Sequence, residues 1–238
     1  MTVVPGIRVP AKLPPKACLI FLHGLGDTGE GWSFLSRVIR QSRLIPAEVG
    51  NSTCFIFPDA PQLNITVNNG MLLPAWFDIY EFGNPNAEQD VAGFFKTCTT
   101  VLKALVDDQI NRQHIPAEKI IIGGFSQGAA IALATLALLD YKIGGVIALS
   151  GFITPAVAQE LEKKHLVKHV NYETPIFQGH GKADSMISYR FGEKTCTYYK
   201  NKLGFKNLEF HGYSRVSHGA SEEELEDVIK FVKKILCD

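Results

Sequence analysis

The chain has 238 residues, 46% of them hydrophobic, and its 24 Lys and Arg balance 24 Asp and Glu. This length and apolar content suit one sizeable domain with one core, because single α/β domains often run longer than the usual domain. With no net charge, no overall field draws the chain to nucleic acid or to an anionic membrane, and nucleic-acid binding is disfavoured.

The first fifteen residues carry Pro5, Pro10, Pro14 and Pro15 among Arg8 and Lys12, with no apolar run of signal-peptide length. They are expected to form an extended N-terminal segment of a protein made and kept inside the cell, in the cytoplasm with the nucleus also open to it. Short apolar runs then recur at Ala17–Leu22, Cys54–Phe57, Lys119–Ile122, Val146–Leu149 and Pro175–Phe177. Their lack of polar alternation suits strands buried on both faces, the pattern of a parallel sheet. Glu88–Gln113, Gln127–Tyr141 and Ser188–Leu203 read as crossover helices, and Ser221–Leu236 as a final helix that opens on a capping box, Ser221 to Glu224. The Glu222-Glu-Glu224 run reads as a solvated helix start. Gln62–Asn86 lacks clear periodicity, and an irregular stretch of that length in a compact domain is expected to serve substrate binding.

No run approaches the roughly 18 apolar residues of a membrane-spanning helix. No repeat or linker divides the chain, so residues 1–238 are expected to form a single domain: a mostly parallel central sheet with helices on both faces. Cys18, Cys54, Cys98, Cys196 and Cys237 are odd in number and scattered, which reads as free thiols.

The densest chemical signal is Lys119-Ile-Ile-Ile-Gly-Gly-Phe-Ser126-Gln-Gly128-Ala, a buried strand running through Gly124-x-Ser126-x-Gly128 into a helix. Such a turn exposes a serine hydroxyl on a strained backbone, and small neighbours let adjacent chain pass. A hydroxyl is a weak nucleophile at neutral pH and needs a base, itself oriented by a third group. In the α/β-hydrolase fold, where this turn occurs, acid and base follow the serine in the chain.

Asp184 follows a buried strand and a Gly-rich turn, which brings it to the sheet edge where the serine emerges. His218 lies on a loop before the last helix and is the candidate base. His165 and His169 fall in a Lys-rich surface stretch and His211 within a strand, so they compete poorly. His180, just before Gly181, is given a supporting part in shaping the Asp184 loop. The backbone amides of Gln127 and Leu25 are the candidate oxyanion donors, the latter from the Gly-rich loop Gly24-Leu-Gly-Asp-Thr-Gly29. Such a loop can instead cradle a phosphate, which is the disfavoured alternative for this chain. No His-Glu-x-x-His occurs, and neither metal nor other cofactor is expected.

Phe21-Leu-His-Gly-Leu-Gly-Asp-Thr-Gly29, Pro74-Ala-Trp-Phe-Asp78, Gly123-Gly-Phe-Ser-Gln-Gly-Ala129, Ala148-Leu-Ser-Gly151 and Gly179-His-Gly181 together resemble the acyl-protein thioesterases and the related lysophospholipases and small carboxylesterases. The blocks run in family order over most of the chain. The resemblance implies an α/β-hydrolase that removes palmitoyl groups from S-acylated proteins, with some activity on lysophospholipids. It implies Ser126, Asp184 and His218 as the triad, the Leu25 and Gln127 amides as the oxyanion hole, and no cofactor. It also suggests that Met71, Leu72, Leu73, Trp76 and Phe77 line an acyl channel. Transient contact with a membrane surface is expected, and the oligomeric state is left between monomer and weak homodimer. Two stretches depart from the family pattern: Asp184-Ser-Met-Ile-Ser188 after the acid and Arg215-Val-Ser-His218-Gly219 around the base.

Overall fold

The computed structural model describes residues 4–163 and 166–237. In chain order the first part holds β1 (Gly6–Val9), β2 (Ala17–Leu22), α1 (Gly29–Gln41), α2 (Ala47–Asn51), β3 (Thr53–Pro58), β4 (Gln62–Ile65) and β5 (Met71–Pro74). There follow α3 (Val91–Thr97), α4 (Lys103–Asn111), β6 (Ile120–Phe125), α5 (Gln127–Leu138), β7 (Gly145–Leu149) and α6 (Pro155–Lys163). The chain closes with β8 (Ile176–Gly181), α7 (Tyr189–Thr197), β9 (Leu208–Tyr213) and α8 (Glu222–Cys237). The central sheet has seven strands in the order β1-β3-β2-β6-β7-β8-β9, all parallel except the edge strand β1.

The continuous apolar runs resolve into two cores because side chains alternate across a strand. Cys18, Ile20 and Leu22 of β2 join Ile120 and Ile122 of β6 on one face, packed by α3, α4, α5 and α7. Leu19, Phe21 and Ile121 point the other way, against Trp32, Leu35 and Ile39 of α1 and Val228, Phe231 and Val232 of α8. Phe21 is fully buried, which is worth about 2 kcal/mol of apolar transfer. Helix α5 lies over the middle of the sheet and is buried from Gln127 to Ala137, which explains its many alanines.

The N-terminal segment is not a free arm: Gly6–Val9 pairs antiparallel with β3, from Gly6 opposite Pro58 to Val9 opposite Phe55. Only Val9 of this strand is half-buried, so no apolar run announced it. Gln62–Asn86 also differs from the irregular expectation. Its first half is a hairpin, β4 paired with β5, turned at Asn69 and Gly70, both with positive φ (55° and 74°). A β-branched residue there would be strained, and Asn-Gly tolerates it. His165 lies outside the described residues. Among the described residues no helix is long and apolar enough to cross a membrane.

Candidate active site

Parallel strands deliver their following loops to one edge of the sheet, and four of these loops converge on Ser126. Ser126 sits between β6 and α5 with φ 54° and ψ −115°, a region a side chain rarely occupies and that costs about 1–3 kcal/mol. The turn is held by the Ser126 amide, which donates to the Leu149 carbonyl at 2.8 Å, and by the amides of Ala129 and Ala130, which donate to the Ser126 carbonyl. Its sharpness dictates the flanking glycines. A Cβ on Gly124 would overlap the Gly128 carbonyl group, and one on Gly128 would lie 2.5 Å from the Leu22 carbonyl oxygen.

His218, from the loop between β9 and α8, places Nε2 3.0 Å from Ser126 Oγ and Nδ1 2.7 Å from Asp184 Oδ2. A carboxylate only accepts, so Nδ1 carries the proton and Nε2 is left with a lone pair facing the serine hydroxyl. The Asp184 side chain is fully buried. Its other oxygen, Oδ1, accepts from the amides of Met186 at 2.9 Å and Ile187 at 2.8 Å. The residues that depart from the family pattern after Asp184 therefore hold the carboxylate through their backbone.

Leu25 and Gln127 line the same cavity as Ser126 and His218. Among the described residues no hydrogen bond takes up either amide. The loop that carries Leu25 is tied down on several sides. The Gly26 amide donates to the Pro74 carbonyl at 2.8 Å, and the buried His23 ring accepts from the Ala60 amide at 3.0 Å through Nε2 while Nδ1–H donates to the Gly24 carbonyl at 2.6 Å. Burial lowers the His23 pKa, which keeps this ring neutral and the two roles distinct.

Gly24, Gly26 and Gly29 have the G-x-G-x-x-G spacing of phosphate-binding loops. Here, however, the first amide of α1, that of Gly29, donates to Asp59 Oδ1 at 2.7 Å, and the Thr28 amide donates to Asp27 Oδ1 at 2.7 Å. Carboxylates already occupy the helix N-terminus where a phosphate would bind.

From Ser126 a cavity of about 250 Å³ runs into the protein. Aromatic rings form much of its apolar wall: Phe77 meets Phe94 edge-on at 5.1 Å, and Phe152 lies 5.1 Å from Phe191. Ile79, Ala130, Val157 and Ile187 add to the apolar lining, which also takes in the exposed Phe82 and Met186.

This corrects the expected channel. Of Met71, Leu72, Leu73, Trp76 and Phe77, only Phe77 lines the cavity. Met71 and Leu72 are each 59% exposed on the hairpin and Leu73 is half-buried. Trp76 is a buried anchor: its indole N–H donates to the His23 carbonyl at 2.8 Å, and its carbonyl accepts from Thr97 Oγ1. The hairpin's alternation and the Trp hydrogen bonds direct these side chains away from the cavity.

Sequence reading also missed Phe94, Phe152, Phe191 and the Gln127 side chain. Gln127 Oε1 accepts from the Trp76 amide at 2.9 Å and its Nε2 donates to the Phe77 carbonyl at 2.8 Å, fastening the cavity wall to the elbow. Phe152 follows the Leu149-Ser-Gly151 block directly, which was an available signal; Phe94 and Phe191 sit on helices with nothing to mark them. Among the described residues no group of three or more His, Cys, Asp and Glu is placed to hold a metal ion.

Comparison with known proteins agrees with this architecture. The sequence profile of the phospholipase/carboxylesterase family matches residues 7–236. The chain is 56% identical over 234 residues to acyl-protein thioesterase 1 of Candida albicans, covering 98% of each chain. It is 52% identical over 236 residues to acyl-protein thioesterase 1 of Debaryomyces hansenii, covering 98% of this chain and 97% of that one. Among solved structures it superposes on acyl-protein thioesterase 2 of Zea mays with a TM-score of 0.79 at 26% identity, covering 98% of this chain and all of the other. With an α/β-hydrolase sheet and a profile match over nearly its whole length, the chain belongs to the phospholipase/carboxylesterase family.

Proposed function

We propose that this protein is a serine hydrolase that cleaves fatty-acyl thioesters, removing palmitoyl groups from S-acylated cysteines of proteins through an acyl-enzyme on Ser126. One observation carries the reading: Ser126 Oγ, His218 and Asp184 form a continuous hydrogen-bonded relay at the head of an apolar, aromatic-lined cavity. The relatives named acyl-protein thioesterase 1 support the choice of substrate.

In this mechanism the acyl chain lies along Phe77, Phe94, Phe152 and Phe191, which brings the thioester carbonyl to Ser126. His218 Nε2 takes the hydroxyl proton as Oγ attacks, and Asp184 holds the imidazole and stabilises its cation. The Leu25 and Gln127 amides donate to the oxyanion, each such donor being worth about 3 kcal/mol. His218 returns the proton to the departing thiol, then activates a water that releases the fatty acid. No step calls for a metal or organic cofactor.

The exposed Met71 and Leu72 give the hairpin an apolar tip, suited to transient contact with the lipid surface where acylated proteins reside. Five free cysteines fit a reducing compartment, and we place the protein in the cytoplasm, with access to the nucleus.

A lysophospholipase or general carboxylesterase is the second reading, since the same relay serves an oxygen ester and the matched family is that of phospholipases and carboxylesterases. A non-catalytic acyl-binding protein is a third, of another class. The test compares kcat/KM on a palmitoyl-thioester peptide, a lysophospholipid and a short-chain ester, for the wild type and Ser126→Ala. The thioesterase reading expects the long thioester to lead and Ser126→Ala to abolish turnover. A leading short ester or lysolipid replaces it with the second reading, and binding without turnover by the wild type with the third.

A further inference from the structure

His180 is a buried ring that the relay of Ser126, His218 and Asp184 does not use. It points from β8 toward α7 and is fully buried. Its Nε2 lies 2.9 Å from the Ile187 carbonyl oxygen and 3.4 Å from Asp184 Oδ2, the oxygen that also meets His218. Both neighbours only accept, so Nε2 carries the proton. The bond to Ile187 is a hydrogen bond, and the approach to Asp184 is a close electrostatic contact.

The other nitrogen tells why an imidazole stands here. Among the described residues the buried His180 Nδ1 has no hydrogen-bond partner, and it abuts Gly192 of α7, where an added Cβ would come within 2.8 Å of it. An unpaired buried acceptor is destabilising, and an apolar ring would fill the same space without it. What the imidazole adds is the Nε2 proton, aimed at the turn that carries the acid.

We infer that His180 is a positioning residue for the reaction: its Nε2–H clamps the 184–187 turn through the Ile187 carbonyl and bears on Asp184 Oδ2, fixing the carboxylate that orients His218. The inference rests on reading Ser126, His218 and Asp184 as the catalytic relay. The clamp closes a small ring, because the same turn supplies the Met186 and Ile187 amides that hold Asp184 Oδ1.

Titratable groups near the pair come from several elements. His218 meets Asp184 from the loop before α8, and Tyr189 of α7 meets the His180 ring edge-on at 5.9 Å. Lys182 Nζ stands 6.0 Å over the Tyr189 ring, β9 presents Gly212 opposite His180, and Glu224 of α8 lies against Gly179, the residue before His180. Burial lowers the His180 pKa, so the ring is neutral where the enzyme works.

Removing the Nε2 proton leaves Asp184 less compensated, and the carboxylate then binds the His218 imidazolium more strongly. The acid limb of the kcat/KM profile, along which the general base must shed its proton, then moves to higher pH, by on the order of half a unit. A loss of packing alone lowers activity at every pH and leaves the limb in place.

The test is the pH profile of kcat/KM on a soluble thioester for the wild type, His180→Phe and His180→Gln, with Ser126→Ala as control and thermal melts to establish folding. Gln carries an amide N–H near the Nε2 position. The inference expects a limb shifted upward in His180→Phe and returned toward wild type in His180→Gln. If His180→Phe does not fold, His180→Asn, whose amide stops at the Nδ1 position, takes its place with the same expected shift. A limb that stays at the wild-type pH in the folded Phe or Asn variant overturns the inference while leaving the relay intact. Persisting activity in Ser126→Ala overturns the relay reading itself and the inference with it.

Discussion

Replacing Glu224 by Gln is expected to stabilise the protein by an amount that grows with pH. Glu224 is fully buried in the first turn of α8, and among the described residues neither carboxyl oxygen has a partner in hydrogen-bonding geometry. Burial, reinforced by the nearby Asp227, raises its pKa from 4.5 to about 8 against a smaller opposing pull from the Ser221 backbone close by. The folded protein therefore keeps a proton that the unfolded chain releases near pH 4.5. Between pH 4.5 and about 8 the native state binds more protons, so stability falls as pH rises across that window. The full loss corresponds to about 5 kcal/mol, of which about 3 is in place at pH 7. Gln is neutral throughout and keeps the shape of the protonated acid. Urea unfolding of both proteins should give matching midpoints near pH 4.5 and a gap that widens to pH 8.5. At pH 7 the thermal midpoint of the variant should lie roughly 6–12 °C higher, the scale for a chain of this length. Parallel stability curves across this range would show that Glu224 titrates normally and refute the reasoning.

Other outcomes follow from the same geometry. Gly128→Ala brings a Cβ to 2.5 Å from the Leu22 carbonyl oxygen, where only backbone can yield. It should lower kcat/KM by at least about 100-fold in protein whose far-ultraviolet circular dichroism is native. Ala130→Phe, one helical turn after Ser126 on the cavity wall, should cut the ratio of long-chain to short-chain kcat/KM at least about tenfold in a substrate panel. Met71→Ser combined with Leu72→Ser should weaken binding to phosphatidylcholine vesicles about tenfold or more in a sedimentation assay; undiminished binding would place lipid contact elsewhere.

The parts of this protein legible in its sequence are those where one local rule acts alone. The strands β2, β6, β7 and β8 announced themselves because burial on both faces requires unbroken apolar runs. The elbow at Ser126 did so because a turn with positive φ and backbone atoms packed on both sides admits little but glycine around it. Asp184 and His218 could be ordered behind the serine by topology, and His218 meets the serine on one side and Asp184 on the other within hydrogen-bonding distance.

The cavity was another matter. Its wall is assembled from Phe77, Phe94, Phe152 and Phe191, which come from four different parts of the chain, and no local pattern distinguishes an aromatic that faces a cavity from one that fills a core. The apolar cluster at Met71 to Phe77 therefore reads as one block in the sequence, although a two-residue alternation and two backbone anchors send its members in different directions. Glu224 reads as solvated because a run of acids at a helix start usually complements the dipole in water; helical rotation leaves Glu222 and Glu223 exposed and turns only the third acid inward, against Gly179. Edge strand β1 was invisible for the opposite reason, since a half-exposed strand between prolines needs no apolar run.

The central claim is that Ser126 carries the acyl group in turnover. Its most direct test is intact-protein mass spectrometry after rapid acid quench of the enzyme with a palmitoyl-thioester peptide, followed by peptide mapping. The account predicts one palmitoyl group on the peptide containing Ser126 in the wild type and none in Ser126→Ala. A palmitoyl adduct at another residue, or turnover by Ser126→Ala, would contradict it.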